Sequence, residues 1–467
     1  MKQGCRFGIM VGLLAAFPVI AQAPSPAERE RIQTESGAER SRELALLGIR
    51  ETRPTLSARD PAAPNFANFD EARANPLPDL PALLRTNGGK DVTTRSAWTR
   101  VRRPEIERLL SDALYGHVPA HLPSVNWRIL ARETETVDNA RVIVTRLAGH
   151  VADGRDPKRS IDISMNILVP ERSRGRHVPA VMLFGSTAPR PPGPPPFQIS
   201  EPAGPDERSQ ILGRGWAVVV LDPASVQADN GAGLSAGIIG IGNHGGPRGL
   251  DDWGALRAWA WGASRGLDRL TQDPDIDPRR VAIYGHSRYG KAALVAMAYD
   301  QRFATGYISS SGAGGAALYR RNYGEGIPNL ASSGGFHWFA GNFLRYAAVG
   351  RSAADLPVDS HELIALVAPR PVFIGTGVLK LSPPDAVPGD GWVDPAGMFK
   401  AAVAASPAWA LLGAQGLESD QMPKLGTLLD RGSIAFRQHE YGHTPKPNWP
   451  YFLRFAARAF KEPEVTE

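Results

Sequence analysis

Two stretches of the chain, PAVMLFG and WAVVVLDP, are short, unbroken apolar runs, the pattern of parallel strands covered on both faces. Beyond them strand and helix patterns alternate: helix WGALRAWAWGASRGLDRLTQ, strand RVAIYG, helix KAALVAMAYD, strand ATGYISSS, a long excursion, strand RPVFIGTG, helix MFKAAVAA, strand SIAFRQ and a last helix, WPYFLRFAARAFK. Such alternation predicts an α/β class protein, a doubly wound, mostly parallel sheet with helices on both faces. Upstream, VNWRILARE, ARVIVTRLAG and IDISMNILVP are β-branched or alternating and predict an antiparallel N-terminal edge. Before them PEIERLLSDALYG predicts an amphipathic helix that Gly116 ends.

Punctuation divides the rest. The tract around residues 187–205 is so rich in proline that it can neither supply ladder N–H groups nor continue a helix, which makes it a surface loop. Residues 24–67 hold one helix-compatible stretch followed by Pro-rich spacing and predict a partly ordered leader; residues 68–467 then form a single catalytic domain with insertions. A chain of 467 residues with 42% hydrophobic content can bury a large core.

At the start, Lys2 and Arg6 precede an apolar run that ends at Ala21-Gln22-Ala23, a small-x-small cleavage pattern. Residues 1–23 thus read as a signal peptide, and the protein as exported, periplasmic or secreted. A membrane anchor is the alternative, but the run falls short of the ~20 apolar residues a span requires and Pro18 interrupts it. Cys5, the only cysteine, lies before the run, so cleavage leaves no disulfide to form. Loss of Lys2 and Arg6 lowers the formal charge from +6 to +4, a mild surplus without a basic, aromatic-interleaved tract, so nucleic acid is not an expected partner.

Candidate chemistry centres on Ser287. It lies between strand RVAIY and helix KAALVAM, within Gly285-His286-Ser287-Arg288-Tyr289-Gly290, the strand-turn-helix setting of a hydrolase nucleophile. The usual G-x-S-x-G spacing is not kept, since Tyr289 stands where glycine is expected, and a serine N-cap is the competing reading. In a fold that orders its residues Ser, acid, His, the base is His443, after the last strand; His439 abuts that strand and reads as structural. The acid should lie on the loop after PVFIGTG, where Asp385, Asp390 and Asp394 are all available and spacing does not choose among them.

Five ordered segments, YGHSRYGKAAL, SSGAGGAALYRRNYGE, LPVDSHELIALVAPRPV, GDGWVDP and GHTPKPNWPYF, together resemble the glucuronoyl esterases of carbohydrate esterase family 15, in its bacterial form. The resemblance runs from about Phe69 to the terminal helix. It implies an α/β-hydrolase fold and a signature turn in which Tyr289 is normal. It also implies that Arg288 assists the oxyanion site, and that Lys291, Glu325 and Trp392 meet the sugar. Many relatives carry a glutamate where this chain has Ser310; some bacterial ones instead place an aspartate two residues before the tryptophan, which here is Asp390, with Asp394 as fallback. The Pro-rich loop replaces a segment that often borders the oxyanion site.

The expected activity is hydrolysis of (4-O-methyl-)glucuronate esters on glucuronoxylan, including lignin–carbohydrate links, through Ser287, His443 and Asp390, with no metal or organic cofactor. Two alternatives stand beside it: a broader deacetylase-like esterase on plant polysaccharide, and a noncatalytic carbohydrate-binding relative in which the missing glutamate is not replaced. The oligomeric state and the alcohol half of the ester are not legible in the sequence.

Overall fold

The structure is a computed structural model that describes residues 25–58, 60–138, 140–188, 204–378 and 389–462. The expected signal peptide, most of the Pro-rich loop and Asp385 lie outside the described residues. Ten strands form one sheet among those residues: β1 (Asn126–Val137), β2 (Ala140–Ala152), β3 (Ser160–Pro170), β4 (Val178–Phe184), β5 (Ala217–Leu221), β6 (Ile276–His286), β7 (Thr305–Ser309), β8 (Val372–Thr376), β9 (Leu428–Leu429) and β10 (Ile434–Gln438), in the order β1-β2-β3-β5-β4-β6-β7-β8-β10-β9. From β5 across to β10 neighbouring strands run parallel. The first three strands form the antiparallel edge, and the short β9 adds an antiparallel strand at the other end.

The helices that frame the sheet are α1 (Pro26–Leu46), α2 (Arg103–Leu110), α3 (Glu207–Gly213), α4 (Ala255–Leu270), α5 (Arg288–Tyr299), α6 (Ser360–Ala365), α7 (Pro395–Leu411) and α8 (Trp449–Ala459). Strand periodicity sorts the core into two layers. Ala180, Met182 and Phe184 of β4 join a core with α4, α5, α6 and α7, whereas Val181 and Leu183 face the layer of α3 and α8. That double cover is why the central strands are apolar at consecutive positions, while β1 at the edge is mostly exposed or half-buried.

Within the expected leader, Pro26–Leu46 form one continuous helix, α1. Ser25 caps α1 by accepting from Glu28 N, and Pro26 occupies the first turn, where its missing N–H costs nothing. Near its other end Glu43 is fully buried against Arg248, also fully buried, through Nε–Oε1 and Nη2–Oε2 contacts of 2.6 and 3.2 Å. Arg248 also donates to the carbonyls of Phe339 and Trp253, so the pair has the hydrogen bonds that buried charges need. Ser36, midway along α1, accepts from Ala232 N at 3.0 Å.

Removing one partner of a buried pair leaves a charge without compensation. Glu43→Ala is expected to lower the unfolding free energy by about 3–5 kcal/mol, measured by chemical denaturation. An unchanged midpoint would mean that α1 is only loosely attached.

Candidate active site

Strand β6 ends at His286 and α5 begins at Arg288, which leaves Ser287 alone at the corner with φ 58° and ψ −128°. A non-glycine residue holds such a left-handed φ only where its surroundings enforce it. Two close approaches do so. A Cβ on Gly285 would lie 1.9 Å from the Tyr289 carbonyl, and one on Gly290 would lie 2.6 Å from the Ser309 carbonyl. The second contact gives the motif's shifted glycine its reason: α5 crosses the end of β7 at residue 290. Ser287 N donates to Ser309 O at 2.9 Å, and the Ser287 side chain makes no cap bond to α5, so it is not the N-cap serine of the competing reading.

The loop between β10 and α8 brings His443 to the same strand ends. Its ring lies 4.3 Å, centroid to centroid, from that of His286, the residue preceding Ser287. Close backbone approach fixes this loop against the end of β8: a Cβ on Gly377 would sit 2.2 Å from Gly442 O, and Val378 N donates to Tyr441 O at 2.8 Å.

Asp390 meets His443 there. Its Oδ1 lies 2.5 Å from His443 Nδ1, and its Oδ2 accepts from Ser310 Oγ at 2.5 Å, from Thr376 Oγ1 at 3.0 Å and from Gly377 N. The carboxyl is fully buried. Burial alone would raise its pKa, but His443 and Ser310 hold it below the usual carboxylate value, so it is an anion that can only accept. The proton in the 2.5 Å contact therefore belongs to Nδ1, which leaves Nε2 as the basic nitrogen.

Ser310, where a glutamate stands in many relatives, is itself fully buried and donates to the aspartate. Asp394 is engaged elsewhere. It caps α7 through Gly397 N and meets Arg321 at 2.7 and 3.1 Å, and Arg321 also pairs with Glu71. His439 is internal, its Nε2 at 2.8 Å from Thr444 O and its Nδ1 accepting from Tyr441 N. His286 was not singled out in the sequence. Burial, and then the neighbouring His443 ring, push its pKa to about 3, so it is a neutral neighbour of His443, with Nδ1 at 3.0 Å from Ser309 Oγ.

The remaining candidates surround this centre. Arg288 is half-exposed, with Nε 2.6 Å from Asp229 Oδ2. Lys291 is buried, and its three N–H groups meet Ser311 O, Ala313 O and Glu325 Oε2 at 2.8, 2.6 and 2.8 Å, a full complement for an ammonium. Glu325 N donates to Trp392 O at 2.8 Å, which ties the half-buried tryptophan to the same wall. Sequence reasoning missed Asp229; it precedes Asn-Gly in a polar loop and carries no motif of its own. Among the described residues no cluster of three or more His, Cys, Asp or Glu is arranged to hold a metal, and no helix is long and apolar enough to cross a membrane.

Strand order, elbow and the Asp390–His443 pair define an α/β hydrolase. Comparison with known proteins agrees: the family model "Glucuronyl esterase, fungi" matches residues 246–413. A glucuronoyl esterase of family 15 from Teredinibacter turnerae superposes with a TM-score of 0.82 at 39% identity, covering 91% of this chain and 100% of that one. Carbohydrate esterase MZ0003, from an unknown prokaryotic organism, is 38% identical over 205 residues, 44% of each chain. The 4-O-methyl-glucuronoyl methylesterase of Hypocrea jecorina is 34% identical over 168 residues, 34% of each chain. The chain belongs to carbohydrate esterase family 15, the glucuronoyl esterases, a family of carboxylic ester hydrolases. Its alignments to these two curated relatives span less than half of their length.

The two aspartates separate by substitution. Asp390→Asn should lower kcat on an ester substrate about ten-thousandfold, as loss of the imidazole-orienting acid does in a triad. Asp394→Asn, which loosens the Arg321 contact, should lower the unfolding midpoint and leave kcat within about threefold. Steady-state kinetics and thermal unfolding of both variants check this, and the opposite assignment of the two losses would overturn it.

Proposed function

We propose that this protein is an exported serine esterase that hydrolyses esters of the (4-O-methyl-)glucuronate carboxyl on glucuronoxylan, lignin–carbohydrate links among them. The observation that carries the reading is the buried Asp390 carboxylate on His443 Nδ1, with the His443 ring 4.3 Å from that of His286, which directly precedes a serine on a strained strand-to-helix corner. In this mechanism His443 Nε2 takes the proton from Ser287 as Oγ attacks the uronate carbonyl, and the imidazolium that forms is stabilised by Asp390. The negative charge that develops on the carbonyl oxygen faces the first N–H groups of α5 and the Arg288 guanidinium. His443 then returns the proton to the leaving alcohol. Water, deprotonated by the same nitrogen, releases the uronic acid and frees Ser287.

Glu325 and Trp392 are the sugar-facing pair in this reading: a carboxylate accepts from ring hydroxyls, and an indole meets the C–H face of a pyranose. Lys291 fixes Glu325 through its ion pair, and a uronate hydroxyl reaches the ammonium by exchanging for one of its three acceptors. The engagement of Asp390 with Ser310 favours a working esterase over a binding-only relative, because the place left by the glutamate is occupied by a donor to another acid. Export rests on the N-terminal pattern alone, with cleavage after Ala23.

Ser287→Ala is expected to lower kcat on a methyl glucuronate ester more than about a thousandfold. Near-full activity would overturn the mechanism. The wild type should also have a higher kcat/KM on that ester than on acetylated xylan or an aryl acetate; a reversed order would replace the uronate reading with a deacetylase-like one.

A further inference from the structure

We propose that Asp229 is a positioning residue that holds the Arg288 guanidinium in the orientation required to meet the oxyanion at Ser287; the inference rests on the reading of Arg288 given above. Asp229 is met from two separate parts of the chain. Its Oδ2 lies 2.6 Å from Arg288 Nε, while its Oδ1 accepts from His337 Nε2 at 2.9 Å and Trp338 Nε1 at 2.7 Å. The two oxygens are therefore divided. One is clamped by a pair of ring N–H groups, which fixes the plane of the carboxylate, and the other is aimed at the arginine.

The charge balance follows. Burial would raise the pKa of Asp229, but His337 and Arg288 hold it below its usual value. Burial also lowers the pKa of His337, so that ring serves Asp229 as a neutral donor rather than as a second cation. Its other nitrogen, Nδ1, is buried without a hydrogen-bond partner, as the Nε2–H tautomer leaves it. One carboxylate thus faces one guanidinium. The salt bridge is to Nε, so in this proposal the Nη groups are the ones that meet substrate.

A half-exposed arginine needs such a tether. Its side chain is long, and it also passes 5.3 Å from the centre of the Tyr289 ring. The carboxylate itself sits on a stiff support. Gln227, two residues earlier, uses its side-chain amide to accept from Ile239 N and donate to Gly233 O, and its carbonyl accepts from Trp259 Nε1. Gly231, two residues later, leaves no room for a Cβ, which would lie 2.6 Å from Phe336 and 3.1 Å from Ser36 of α1. A preorganised donor acts on the transition state more than on the bound substrate, so loss of the tether falls on kcat.

A double-mutant cycle on a methyl glucuronate ester tests this. Arg288→Ala is expected to lower kcat about 10²–10³-fold, the loss of one oxyanion donor. Asp229→Asn should lower it roughly ten- to hundredfold with KM within about threefold, and the double variant should match Arg288→Ala alone within about threefold. Multiplying losses in the double variant, or an unchanged kcat in Asp229→Asn, would overturn the inference. If Asp229→Asn fails to fold, Trp338→Phe, which removes one clamp on Oδ1, takes its place: it should lower kcat in the wild-type background and leave it unchanged in Arg288→Ala. A wild type that does not hydrolyse the ester would overturn the esterase reading, whereas an active wild type with multiplying losses would overturn only the role of Asp229.

Discussion

A carboxylate removed from water must be compensated on every side, and Asp390 is where this chain meets that demand. Its compensation is spread over the ends of three parallel strands. Ser310 follows β7, Thr376 ends β8 and Gly377 follows it, and His443 lies on the loop after β10. Those strands are consecutive neighbours in the sheet, so the fold brings the donors together without any long side chain reaching across. The same arrangement fixes the tautomer of His443, since a buried anion can face only a donor. Orientation of the His443 ring and compensation of the buried Asp390 charge thus depend on one interaction.

Much of this was legible before any coordinates. The parallel core follows from local pattern, because a strand covered on both faces must be apolar at consecutive positions, and the strand-turn-helix setting of Ser287 follows from it too, whereas the shifted glycine left its side chain's role open until the resemblance was taken into account. The choice among aspartates was different. Asp390 and Asp394 are four residues apart in the same turn-rich segment, and only three-dimensional placement sends one to His443 and the other to Arg321. Ser310, read in the sequence as the absence of a negative charge, is a hydrogen-bond donor to the charge that Asp390 supplies from the segment after β8. Asp229 was illegible for a related reason, since its partners Arg288, His337 and Trp338 are distant in sequence and none reveals the contact by spacing.

The N-terminal helix illustrates a second limit. Its composition is that of a polar leader, yet one buried charge, Glu43, places it against Arg248, and Arg248 holds the carbonyl of Phe339 in the segment that carries His337 and Trp338. Helix α1 also touches the loop of Asp229 through Ser36. Hydrogen bonds and ion pairs, joined by short runs of backbone, therefore link α1 to Arg288. The shell around the elbow has one side built by β7, β8 and β10 and another built by segments outside the sheet.

The central claim, that the buried Asp390 carboxylate holds a proton on His443 Nδ1, is open to direct observation. A proton that an imidazole donates to a buried carboxylate gives a far-downfield proton resonance, separable from other imidazole signals by selective 15N labelling of histidine. The account predicts this resonance in the wild type and in Asp394→Asn, and its loss in Asp390→Asn. Its survival in a folded Asp390→Asn variant, or its disappearance in Asp394→Asn, would contradict it.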